Sequence, residues 1–284
     1  MTRGIAAPRR VSSYPVSLFP RTWLVSIGSR DVSALDMSFS VERKSRGAPG
    51  VGTISVRNPA PATISAAREG SFVRLSAGHA GTNALLLSAT IRDARVVREG
   101  TDRVLVIQGR DIGSRSAENA TISRAYPPGT LIETPVRHAV ASLGIGEGNL
   151  RDVLPLRLRS GASAFAAGYA AHGRASRILS EILAGAGLRW SVQHGALQVM
   201  ARGRPLPGRG EVLSPETGLV EAPTWDERRR TLTIKALIRP GLEPGARVHV
   251  ESDEATGDFE IRSSTFTGDT RTPEWYATSA LRPL

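Results

Sequence analysis

Five histidines, His79, His138, His172, His194 and His249, are the first residues to test for chemistry. They lie far apart, and no two have the i, i+4 spacing on a helix that aims two imidazoles at one metal ion. Each is expected at the surface or in a turn. The chain has no cysteine, which excludes thiolate nucleophiles, disulfides and cysteine-ligated metal or iron–sulfur centres. No Gly-x-Ser-x-Gly elbow presents a serine. Asp226-Glu227 and Asp253-Glu254 are adjacent in sequence, so on a strand their side chains face opposite ways and neither makes a paired general acid and base. Gly144-Ile-Gly-Glu-Gly148 has the glycine density of a phosphate loop, but it follows a helical segment and no helix is expected to open after it. Asn119-Ala-Thr121 matches a glycosylation sequon, which has meaning only on a secreted chain. One charged constellation remains. Asp226, Glu227, Arg228, Arg229 and Arg230 offer a grip for phosphate, yet they sit just before a strand, where a solvated loop or a subunit salt bridge is expected. These five are the candidate oligomer-interface residues. No catalytic, cofactor or metal site is expected, and the chain is read as no enzyme.

The elements that would position these groups follow from composition and pattern. At 284 residues the chain can bury real cores and is long enough for two or three domains. Its net charge is +11, almost entirely from arginine, since Lys44 and Lys235 are the only lysines. Such basicity fits a polyanion partner, or simply a GC-rich genome. The arginines are spread along the chain and few aromatics interleave with them, which weakens a single-strand-binding surface. No apolar run approaches the roughly twenty residues that span a membrane. Arg9-Arg10 precedes Val11–Pro20, a stretch too polar and proline-rich for a signal sequence. No membrane insertion is expected, and synthesis in a cytoplasm is.

Residues 1–20 read as an extended arm without periodicity, ordered only on a neighbour. Residues 21–113 read as a first β-barrel. Trp23, Val25 and Ile27 alternate with Thr22, Leu24, Ser26 and Gly28, as Met37, Phe39 and Val41 do with Ser38, Ser40 and Glu42, and turns are expected at Gly81-Thr82-Asn83 and Glu99–Asp102. Residues 114–173 read as a connector with one helix, capped by Thr134 with Pro135 in its first turn, followed by an irregular stretch. Residues 174–203 form a small α/β module. Its helix carries Ala175, Ile178, Leu179, Ile182 and Leu183 on one stripe, and Gln193-His194-Gly195 joins two strands. Residues 204–284 read as a second β-barrel, with turns expected at Gly257 and Gly268. The fold class is therefore mainly β with an α+β insert: two small barrels separated by a helix-containing module.

The last barrel resembles that of the baseplate or tail-tip hub proteins of tailed bacteriophages. The residues that carry the resemblance run in order: Leu213-Ser-Pro-Glu-Thr-Gly-Leu219, Leu237-Ile-Arg-Pro240, Pro244-Gly-Ala-Arg-Val248, Gly257-Asp-Phe259, Thr267-Gly-Asp-Thr270 and Trp275. The first barrel is similar more loosely, through Trp23, Ser38–Val41, Ile54–Asn58, Gly70–Leu75 and Gly109–Asp111. The resemblance implies two tail-tube-like barrels in a homotrimer. That trimer would be a pseudo-sixfold ring between the tail tube or distal tail protein and a spike or central fibre protein. Tape-measure protein and then DNA would pass through it, and the chain would end in the virion tail. The alternative that the residues leave open is a basic, OB-like nucleic-acid-binding module. Within the chain, Glu69-Gly70 before Phe72–Leu75 matches Pro244-Gly245 before Arg247–Val250, which predicts that the two barrels are copies of one plan.

Overall fold

A computed structural model describes residues 20–45, 49–79, 81–111, 119–158, 163–201, 203–206 and 210–284. All of the expected arm but Pro20 lies outside them. The first block comprises β1 (Arg21–Ile27), β2 (Arg30–Asp31), β3 (Met37–Lys44), β4 (Val51–Arg57), a short helix α1 (Pro61–Ala66), β5 (Phe72–His79), β6 (Ala84–Glu99) and β7 (Asp102–Arg110). The insert comprises β8 (Thr121–Tyr126), β9 (Thr130–Leu131), α2 (Glu133–Ser142), α3 (Leu150–Leu158), β10 (Ala164–Phe165), β11 (Tyr169–Arg174), α4 (Ala175–Gly185), β12 (Leu188–Gln193) and β13 (Ala196–Ala201). The second block comprises β14 (Glu211–Leu213), β15 (Leu219–Asp226), β16 (Thr231–Leu237), β17 (Arg247–Glu251), β18 (Thr256–Asp269) and β19 (Trp275–Pro283).

The two blocks are built on one strand order. In the first, neighbours run β3-β4-β7-β6-β5; in the second, β15-β16-β19-β18-β17. The match extends to irregularities. β6 slips register on β7 between Ile91 and Asp93, and β18 slips on β19 between Ile261 and Ser263. Ahead of each short strand, a glycine with positive φ, Gly70 (85°) or Gly245 (90°), donates its N–H to the carbonyl of that same isoleucine. Each isoleucine returns its own N–H to the residue after the glycine, Ser71 or Ala246. Only glycine enters this left-handed turn without strain, so sequence places one in both copies. The sixth strands differ: β1 lies antiparallel on β5, whereas β14 lies parallel on β17.

β18 joins the copies. Its first half lies between β17 and β19; its second half, Ser263–Asp269, pairs with β3 instead of β17. One thirteen-stranded sheet therefore crosses both blocks, and one apolar core runs beneath it from Val25 to Leu281. Alternation builds that core: Met37, Phe39 and Val41 of β3, and Val248 and Val250 of β17, point inward between polar neighbours. Trp275 sits at the joint, its ring 5.7 Å from Trp23 and 5.2 Å, edge-on, from Phe39, with Nε1 donating to the Gly78 carbonyl at 3.0 Å. Gly268 is no turn residue. It lies inside β18, where a Cβ would come within 2.7 Å of both the Phe39 and Trp275 rings, so a close approach explains it rather than a positive φ.

A second core runs from Ile122 to Val199 and draws on both the expected connector and the α/β module, so these pack as one unit. Two helices stand where one was expected. α2 starts at Glu133, ahead of Thr134, without a side-chain cap; Arg137 reaches back one turn to Glu133 instead. α3 opens two residues after Gly148, where no helix is expected from sequence, and runs into the irregular stretch from Leu154; it tolerates Pro155 because Leu150 and Leu154 are buried. α1, also unexpected, follows the Asn58–Pro61 break.

Candidate functional site

Asp226 ends β15, and Glu227–Arg230 form the exposed turn into β16. The turn closes locally: Asp226 accepts the Arg229 backbone N–H at 3.0 Å and faces the Arg229 guanidinium at 3.7 Å, and Arg230 adopts φ 50°. The five candidates thus form one solvated hairpin tip rather than a phosphate cradle.

The histidines remain apart. His138 meets the Tyr126 hydroxyl at 2.8 Å, His172 lies 3.4 Å from Ser123 Oγ, and His249 pairs with Asp258 at 3.0 Å. No group of three metal-ligating side chains occurs among the described residues. His79 corrects the surface expectation. It is buried because it continues the inward set Val73, Leu75, Ala77 along β5. The glycine loop also serves packing. Gly146 N–H donates to the Gly195 carbonyl and Gly146 C=O accepts from Leu197, while Gly148 lies against the Leu197 backbone too closely for any side chain. The Gly144 and Ile145 amides donate back to Ala141 and Val140 of the preceding helix, so the first three amides of the loop are spent within the fold.

Two ionic clusters, neither singled out from sequence, fasten the insert to the sheet. Arg43 (β3) is 1% exposed. Its guanidinium reaches Glu243 at 2.5 Å, the Leu86 carbonyl at 2.5 Å, the ring nitrogens of His194 at 3.0 and 3.1 Å, and Asp111 at 4.0 Å. First block, insert and second block meet at this one side chain. Burial pushes the Asp111 carboxyl above the ordinary aspartate range despite Arg43 and His194. Burial pushes Glu243 the same way, but hydrogen bonds and charge from His194 and Arg43 outweigh it, and its pKa falls. The second cluster holds the buried Glu260 (β18) between Arg189 of the insert and Arg282 of β19, the latter at 3.1 Å. A signal for Arg43 existed: it shares the parity of Phe39 and Val41 and so points into the core.

Two strand edges stand open. β15 pairs only with β16, and the far half of β6, Asp93–Glu99, pairs only with β7 among the described residues. Three of the exposed large apolar side chains lie there: Val96 (39% exposed), Val220 (41%) and Trp225 (42%). Unpaired edges with apolar side chains invite another strand. This arrangement is suited to assembly.

In fold, the chain is similar to solved tail proteins of phage-like particles. A tail protein from Neisseria meningitidis MC58 superposes with a TM-score of 0.61 at 12% identity, over 93% of this chain and 96% of that one. The 43 kDa tail protein of prophage MuSo2 from Shewanella oneidensis gives 0.65 at 10% identity, over 93% and 98%. An E. coli component of the type VI secretion system, described as similar to the T4 tail proteins gp27 and gp5, gives 0.56 at 13% identity, over 95% and 76%. At these identities the likeness is one of fold. No protein-family model and no curated protein matches the chain.

Proposed function

We propose that this protein is the structural hub of a phage or phage-derived tail tip, a homotrimer whose six similar blocks form one ring. The observation that carries this reading is the repeated five-strand order, in a chain that superposes on tail proteins over nearly its whole length. Three chains with two copies each match a sixfold tube on one face and present a threefold face to a spike or central fibre protein on the other. The insert, which interrupts the repeat, lies outside or below the ring. Tape-measure protein and DNA pass through the lumen, and the chain is made in the host cytoplasm and carried in the virion tail. The role is structural rather than enzymatic, in keeping with the open edges and the scattered histidines.

Light-scattering mass and electron microscopy of the purified chain test this. A trimeric ring with a central opening is expected. A monomer at all concentrations up to about 100 µM would count against it, and tight, salt-dependent DNA binding by such a monomer would favour the OB-like alternative.

A further inference from the structure

We propose that the two open edges are halves of a single joint. The far half of β6 in one copy pairs antiparallel with β15 of the next, repeating between chains the β18–β3 pairing seen within the chain. The proposal rests on the ring described above and specifies its register.

The register follows from the repeat. Placing Ile91 on Ile261 puts Val96 where Phe266 stands. Placing Ile54 on Ile234 puts Trp225 where Val41 stands, because Val41 faces Gly52 and Trp225 faces Leu232. Inside the chain Phe266 and Val41 are direct cross-strand partners, 1% and 0% exposed. Their counterparts Val96 and Trp225 are 39% and 42% exposed. The same two positions are sealed where a neighbouring block covers them and bare where none does. Joining the open edges in this register sets Val96 against Trp225 of the second copy, as Phe266 is set against Val41.

The flanking charges fit without adjustment. Thr265 pairs with Glu42 in the chain; at the corresponding positions Arg95 meets Asp226 of the second copy. Beyond it, Ser263 pairs with Lys44, and there Asp93 faces the Glu227–Arg230 tip with Arg228 in the place of Lys44. Among the described residues these groups make local, exposed pairs, Arg95 with Asp93 at 3.5 Å and Arg229 with Asp226 at 3.7 Å, which cost little to exchange. A register slip of one residue would turn Val96 and Trp225 to opposite faces and separate both charge pairs, so the pattern selects one alignment. Pro223 donates no hydrogen bond, which confines the new ladder to Thr224–Asp226 and the tip that follows. Each copy offers one edge of each kind. The contact is therefore head-to-tail and propagates around a ring rather than closing a dimer.

The absence of native cysteine makes the test clean. Directly opposed residues on paired strands lie within disulfide reach. Full-length Val96→Cys/Trp225→Cys, oxidised, should run as a covalent trimer on a non-reducing gel and collapse to monomer with reductant. Val97→Cys/Trp225→Cys, one residue out of register, should not link. Arg95→Asp and Asp226→Arg should each weaken the trimer at least tenfold, and the double swap should restore it. These residues are surface positions, so the single variants keep the wild-type circular dichroism spectrum. A trimer that never links through Val96→Cys/Trp225→Cys, or that ignores the charge reversals, overturns the pairing and leaves the ring. A wild-type monomer overturns both.

Discussion

The two blocks share a plan and differ in what surrounds them. In the second, the glycine turn ahead of β17 lies against Met200 of the insert, and the far half of β18 is covered by β3. In the first, the matching turn is open and the far half of β6 pairs on one side only, among the described residues. One strand order is thus used twice, once with its edge paired inside the chain and once, among the described residues, with its edge unpaired. The edge strands of a sheet are a hazard that soluble chains normally blunt. Here Val96 and Trp225 are flanked by charged side chains, Arg95 and Asp226, of the kind that blunt such edges.

Separating the two blocks should produce the largest effect. Trp275 begins β19 of the second block but packs on Trp23 and Phe39 of the first, with Arg21 above its ring at 5.5 Å. Trp275→Ala should cost about 3–5 kcal/mol, the range for truncating a large buried aromatic. Because one core spans both blocks, urea unfolding should stay a single transition at a lower midpoint. Two resolved transitions would mean that the blocks fold independently.

Arg43 comes next. Replacing it with methionine keeps much of the bulk but leaves Glu243 and Asp111 beside no guanidinium. Removing one partner of a buried ionic cluster costs about 3–5 kcal/mol, with the lower end expected here because Glu243 is partly exposed. Proteolysis should then release the insert before the sheet is cut. Equal protection of insert and sheet would show that the insert is held by other contacts.

The paired glycines sharpen the comparison on a smaller scale. Gly70 and Gly245 hold the same left-handed turn, but a Cβ on Gly70 meets open space, whereas one on Gly245 would stand 2.4 Å from Met200 Sδ. Gly70→Ala should cost about 1 kcal/mol, from backbone strain alone. Gly245→Ala should cost roughly twice that, since Met200 and Leu206 must also move. Thermal midpoints of the two variants measure the difference; equal shifts would mean that the insert does not press on the second block.

Much of this was legible in the sequence. Alternation in β1, β3 and β17, the stripe on α4 and the Gly-led strands gave the elements and the idea of a repeat. Period-two patterns survive wherever one face is buried and the other wet. Three kinds of feature were not legible. α3 carries a proline and owes its helicity to the burial of Leu150 and Leu154, which is tertiary. The Arg43 cluster assembles residues from three separate segments, and no local spacing announces that. The open edges are visible only once strand neighbours are known. Asp226–Arg230 stands out in the sequence for its charge, but the proposed pairing joins it to Trp225 beside it and to Asp93 and Arg95, far away in sequence.

The smallest expected effect lies in the pH dependence of the junction, where two neighbouring carboxylates pull oppositely. Asp111 has a raised pKa in the fold, chiefly through burial, so the folded chain holds its proton more tightly than the unfolded chain does. Its contribution is full below the unfolded pKa and is lost as pH rises through the folded one. Glu243 has a lowered pKa because His194 and Arg43 together outweigh its burial. Its contribution is present above the unfolded pKa and is lost as pH falls through the folded one. Asp111→Asn removes the acid-favouring member, so its stability relative to wild type should improve as pH rises from the acid range. Glu243→Gln removes the other, and its relative stability should improve as pH falls. Urea midpoints across pH 3–7 read both slopes. If the two variants tilt the profile the same way, the carboxylates do not divide the junction's charge as the geometry requires, and Arg43 neutralises them as one unit. Opposite tilts would instead tie the neutral-pH attachment of the insert to Glu243, the second block's own contribution to the junction.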